Sequence, residues 1–132
     1  TAKMRDALPE VTDAVPTTLL TLIEDRLGRS QTSFNTQDLA NSIWAAAKLK
    51  VGKKESEAVV TAVVDRMRKA PDQFNGQHLS NCMWAAATLK VDLEEIDPII
   101  SAVVNRMEMA PDSFPAQGLS NCIWAAATLK VD

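Results

Sequence analysis

The stretch "FNGQHLSNCMWAAATLKV", Phe74 to Val91, is written three times in this chain. "FNTQDLANSIWAAAKLKV" starts at Phe34 and "FPAQGLSNCIWAAATLKV" at Phe114, so each copy begins 40 residues after the one before. Over 19 residues the copies from Phe74 and Phe114 share 15 identities, and those from Phe34 and Phe74 share 12. An enzyme needs its catalytic residues once. A phrase that returns at constant spacing marks instead a unit that buries its apolar face against copies of itself.

The register extends upstream of the phrase. "IEDRL" from Ile23 aligns with "VVDRM" from Val63 and "VVNRM" from Val103, which places Arg26, Arg66 and Arg106 in one column. Val11, Val51, Val91 and Val131 form another. Within each unit two helical patterns follow one another. Leu79, Met83, Ala86 and Ala87 fall at i, i+4, i+7 and i+8, one face of a first helix. Asn35 and Asn75 stand where a helix N-cap belongs, and Pro115 takes their place in the last copy. Val59, Val60, Val63 and Met67 make the stripe of a second helix. The β-branched run "AVVTAVV" invites a strand, but its 3.6-residue period and its length of about 13 residues favour a helix. Asp97 followed by Pro98 reads as the start of the matching helix in the next unit. "APD" at Ala70 and Ala110 reads as its end, because proline cannot continue a helix without losing a hydrogen bond.

The expected fold is therefore all-α, an α-solenoid (superhelix) of stacked antiparallel helix-pair repeats with a 40-residue period. Its segments are a repeat remnant over 1–33, repeats over 34–73 and 74–113, and the first helix of a further repeat over 114–132, seven helices in all. The 132 residues suffice for one domain with a core, and the 46% apolar and 23% charged content is that of an ordinary globular chain. No apolar run approaches the 18 or so residues a membrane span requires. The chain begins at Thr1 and stops partway through a repeat. A processed or partial stretch of a longer protein is the expectation.

The usual enzymatic constellations do not occur in this pattern. His78 is the single histidine, and with Cys82 and Cys122 it gives no metal-ligand spacing. No glycine-rich phosphate loop or serine elbow is present. Glu94 and Glu95 read as solvated loop carboxylates. The two cysteines hold equivalent repeat positions, roughly 10 Å apart for neighbouring helices. That exceeds disulfide reach and favours small buried side chains. No catalytic residue, cofactor, metal or small-molecule substrate is assigned.

On a helical wheel the first helix is apolar over most of its circumference, leaving one polar strip. The strip holds Gln37, Asn41 and Lys48, then Gln77, Asn81 and Thr88, then Gln117, Asn121 and Thr128, bordered by Trp44, Trp84 and Trp124. Two readings stay open. The amides can form a structural ladder that satisfies semi-buried groups. Alternatively they line a groove in which amides bond base edges and tryptophan stacks on a base. Positions that do not vary cannot tell one base from another, so discrimination would fall to Asp38, His78 and Gly118 on the rim of the strip. The arginine column either fixes helix packing or holds phosphates.

The pattern "FNxQxLSNxxWAxAxL", with a second helix ending in Arg-Met, resembles the octotricopeptide-type repeats of algal and protist organelle proteins. It is also similar to repeats of RAP-domain proteins and of the Fas-activated serine/threonine kinase-like mitochondrial family. The resemblance covers essentially the whole chain. It implies a non-catalytic α-solenoid in a plastid or mitochondrion that binds single-stranded organellar RNA and acts in its processing, stability or translation. It also implies that the RNA-facing residues are those of the first-helix strip.

Charge supports a competing expectation. Residues 1 to 69 carry 11 basic and 9 acidic side chains, a balance of +2, whereas residues 70 to 132 carry 3 and 8, a balance of −5. Phosphate binding draws on basic residues. An acidic second half suits a protein-interaction scaffold, a subunit of a large organellar assembly such as a ribosome or photosystem.

Overall fold

A computed structural model describes residues 18–130, and all of its regular structure is helical. The helices are α1 (18–30), α2 (Thr36–Lys48), α3 (Lys53–Lys69), α4 (Gly76–Thr88), α5 (Leu93–Met109) and α6 (Ala116–Leu129). Short 3₁₀ turns, Gln31–Ser33, Pro71–Gln73 and Pro111–Ser113, precede α2, α4 and α6. No strand occurs among the described residues. The seventh expected helix, Val11 and Val131 lie outside them.

Local chemistry sets each helix start. Asn35 caps α2: its Oδ1 accepts from Asp38 N at 2.7 Å, while Asp38 Oδ2 accepts from Asn35 N at 3.0 Å. This reciprocal box satisfies two donors that the first turn leaves unpaired. Asn75 repeats half of it, accepting from His78 N at 2.7 Å. Pro115 offers α6 no side-chain cap. Losing such a cap typically costs about 1 kcal/mol.

The second helices begin earlier than Asp97–Pro98 suggested. α5 starts at Leu93, with Asp92 as N-cap, and Pro98 lies inside it. Asp92 O accepts from Glu95 N and Ile96 N, so Glu94 and Glu95 stand in the first helical turn rather than in a loop. Both carboxylates are favoured there by the positive end of the helix dipole. Ile96 and Ile99, fully buried, hold this turn on the core and override the local preference at Pro98. α3 and α5 each span 17 residues and end at Ala70 and Ala110, where Pro71 and Pro111 open the next 3₁₀ turn.

The first helices lie side by side, α4 between α2 and α6, while α3 packs on α2 and α5, and α5 on α4. Between them the core closes on small side chains, Ala40, Ala46, Ala47, Ala85, Ala86 and Ala87. Leu39, Ile43, Leu79, Met83 and the Val59–Val60–Val63–Met67 stripe fill the remainder. The rings of Trp84 and Trp124 meet with centroids 6.3 Å apart. Repeat-to-repeat contact recurs at the helix starts. Thr36 Oγ1 donates to Gln73 O at 3.1 Å. One unit later, Gly76 brings α4 so close to the Ser113 carbonyl that a Cβ would run into it. On α6, Leu119, Ile123 and Trp124 are exposed although their α4 counterparts Leu79 and Met83 are buried and Trp84 is half-buried. No described helix covers that side of α6.

Candidate functional site

The polar strip of the first helices is not uniform in the folded chain. Gln77, Asn81, Gln117, Gly118 and Asn121 come together with Trp44, Ser80 and Pro115 around a cleft of about 320 Å³. The cleft crosses α2, α4 and α6. Its floor is set by Ser80, whose hydroxyl donates back to Gly76 O and Gln77 O. Gly118 belongs to that floor and not to an exposed rim. It is buried, and a Cβ there would lie 2.7 Å from Ser80 Oγ and 3.3 Å from Pro115 Cδ. Glycine thus lets α6 approach α4.

The amides bear on the ladder reading of the strip. Gln77, Asn81, Gln117 and Asn121 make no side-chain hydrogen bond to any described residue. A ladder of mutually bonded amides is therefore absent among these residues. Each amide carries two donors and an acceptor with two lone pairs, so the four present a dense unclaimed set at one place. Gln77 and Gln117 are exposed, while Asn81 and Asn121 are half-buried. Trp44 forms one wall with 40% of its surface exposed. Lys48 Nζ sits 5.4 Å from the centre of the Trp44 ring, a cation–π contact that places a positive charge beside this wall.

The remaining strip residues lie elsewhere. Gln37 and Asn41 are exposed on α2 outside the cleft, and Thr128 is exposed near the far end of α6. Asp38 is engaged in the α2 capping box, so its carboxylate is already committed. His78 is half-buried with Nδ1 unpartnered among the described residues, and desolvation lowers its pKa, which favours the neutral ring. Thr88 faces a different groove and its Oγ1 is buried without a described partner. Ser80, Pro115 and the contribution of Trp44 from a neighbouring helix were not foreseen. The copies of the repeat show which positions match but not which helix meets which.

The arginine column splits as well. Arg66 donates to Gln31 O at 3.4 Å, bridging α3 to the turn before α2, whereas Arg26 is exposed on α1. Cys82 and Cys122 are free and buried. Burial pushes their thiols up to about 12 and about 11, so both stay protonated and unreactive at neutral pH. Other titratable groups gather between α3 and α5, where Lys53, Lys54, Glu57 and Glu95 line a cleft of about 340 Å³ with charges of both signs. Among the described residues no group of His, Cys, Asp or Glu is arranged to hold a metal ion, and no helix is long and apolar enough to cross a membrane.

No protein-family model, curated protein or solved structure matches the chain.

Proposed function

We propose that this chain is a stretch of α-solenoid with a 40-residue period that binds single-stranded RNA and performs no chemistry on it. The repeat reading is supported by equivalent helix starts at Thr36, Gly76 and Ala116, and at Lys53 and Leu93. The observation that carries the binding function is the cleft itself, with four amides that have no side-chain partner among the described residues beside a partly exposed tryptophan. Asn and Gln side chains can pair with the edges of unstacked bases, and an indole face can stack on any base. Because α4 and α6 present the same Gln and Asn pair, the cleft suits sequence-tolerant contact. Discrimination would come from neighbouring units that differ. An organellar setting, plastid or mitochondrial, with a role in RNA processing, stability or translation, completes the proposal by resemblance.

The test is binding of labelled single-stranded RNA at two ionic strengths, with Gln77→Ala and Asn81→Ala. A lost amide contact is worth about 1 kcal/mol, or roughly fivefold in affinity. Absence of binding at low salt refutes the proposal, and binding indifferent to both substitutions refutes the choice of surface. A scaffold role is the second reading, favoured by the apolar side of α6, where Ile123 is 72% exposed. It predicts a polypeptide seated on that face and little affinity for RNA.

A further inference from the structure

The turns that close the first helices share a backbone state that side chains avoid. Lys50, Lys90 and Lys130 have φ of 56°, 59° and 59°, whereas none of the glycines has a positive φ. The bonding is that of a Schellman turn: Val51 N donates to Ala46 O and Lys50 N to Ala47 O, repeated as Val91 N to Ala86 O and Lys90 N to Ala87 O. Glycine usually occupies the left-handed position because it has no Cβ to clash. Keeping lysine there at three equivalent turns suggests that the side chain is wanted.

Two of these lysines meet at one place. Lys50, Lys53 and Lys90 line a groove of about 640 Å³ at the C-terminal ends of α2 and α4, together with Val51, Gly52, Thr88 and Leu89. Among the described residues no carboxylate lines it. Lys53 Nζ reaches Asp92 Oδ1 at 3.3 Å, with both groups well solvated. Lys50 and Lys90 pair with no acid among the described residues. The start of α3, which has no side-chain cap, opens at Gly52 and adds unpaired backbone N–H groups. Glu55 folds back over Gly52 and is the acid on that side, outside the groove lining. Against these stand the negative ends of the α2 and α4 dipoles, which the adjacent lysines offset.

We propose that this groove holds the phosphodiester backbone of single-stranded RNA, with Lys50, Lys53 and Lys90 as its phosphate contacts. The proposal rests on the RNA-binding reading and extends it: the amide cleft meets bases, and the lysine groove meets phosphates some distance along the same helices. It also offers a chain of net charge −3 a local route to a polyanion, since three of its 14 basic side chains line one groove at the C-terminal ends of α2 and α4.

The experiment measures affinity for labelled oligouridine across a salt series. Lys50→Asn with Lys90→Asn suits the left-handed turn but removes two charges. It should lower the slope of log K against log salt by about 1.4, roughly 0.7 per phosphate contact on a single strand. Lys50→Arg with Lys90→Arg keeps both the charge and the strained turn and should keep the slope. Thermal melts of both variants report whether the turns still fold. If the wild type binds and the Asn variant, still folded, retains the full slope, the groove is not a phosphate site. Loss of slope in a folded Arg variant would overturn it equally, because charge would then not be the cause. A wild type that binds no oligouridine at low salt sinks the RNA reading, and this inference with it.

Discussion

Gly76→Ala and Gly28→Ala are the same chemical change in two helices, yet they should move stability in opposite directions. By propensity, alanine improves a helix by about 1 kcal/mol over glycine, and part of that gain comes from a less flexible unfolded chain. Neither glycine has a positive φ, so neither substitution meets backbone strain. At Gly28 an added Cβ finds nothing within 4 Å, and the full gain of about 0.5–1 kcal/mol should appear. At Gly76 the methyl would collide with the Ser113 carbonyl, with Ser113 C at 2.9 Å and Phe114 Cα at 3.2 Å. These are backbone atoms of the turn that seats α6, so relief requires that turn to move away from α4. Overpacking of this kind costs about 1–3 kcal/mol, which offsets the propensity gain and leaves a net loss of up to about 2 kcal/mol. Thermal unfolding followed by circular dichroism should show Gly76→Ala lowering Tm, by up to about 8 °C, and Gly28→Ala raising it by a few degrees. If Gly76→Ala proves as stable as Gly28→Ala, the close seating of α4 on the Pro111–Ser113 turn is wrong, and with it the tight register of these two units.

Other perturbations probe the core and its open side. Met83→Ala should cost about 2–4 kcal/mol in urea unfolding because Met83 is 4% exposed and leaves a cavity. Ile123→Ala, the equivalent change on the uncovered side of α6, should stay within about 0.5 kcal/mol. Equal losses would show that α6 is covered. The buried thiols give a pH dependence: Cys82, raised to about 12 in the fold from 9.0, binds its proton more tightly folded than unfolded. Stability is therefore complete below about pH 9 and should decline as pH rises from there toward 12, a decline that Cys82→Ala should reduce. The same burial predicts slow labelling of Cys82 by a thiol reagent in the native protein and fast labelling in denaturant; fast native labelling would contradict it.

Features that depend on near neighbours in the chain were legible beforehand. The apolar spacing of Leu79, Met83, Ala86 and Ala87 marked a buried helical face, and all four are buried. Asn35 and Asn75 were readable as caps because a cap acts within three residues of its own position. The start of α5 was misread for the opposite reason. Pro98 carries a strong local signal, but Ile96 and Ile99 are held by packing that no local signal reports. The lysine turns were overlooked because a Lys between Leu and Val looks like ordinary helix, and only the φ values distinguish it.

What the amino-acid order determined by itself was helical class, the 40-residue recurrence of its signals, and a strip of amides on the first helix of each unit. Those follow from periodicity and short-range hydrogen bonding, which act along the chain. Tertiary structure alone decided which parts of the strip share a cleft, that their amides lack partners among the described residues, that Gly118 is floor and not rim, and that Lys50 and Lys90 face one groove. Each of these depends on how closely one helix approaches another, a distance governed by the small side chains between α2, α4 and α6 and readable only once they are packed.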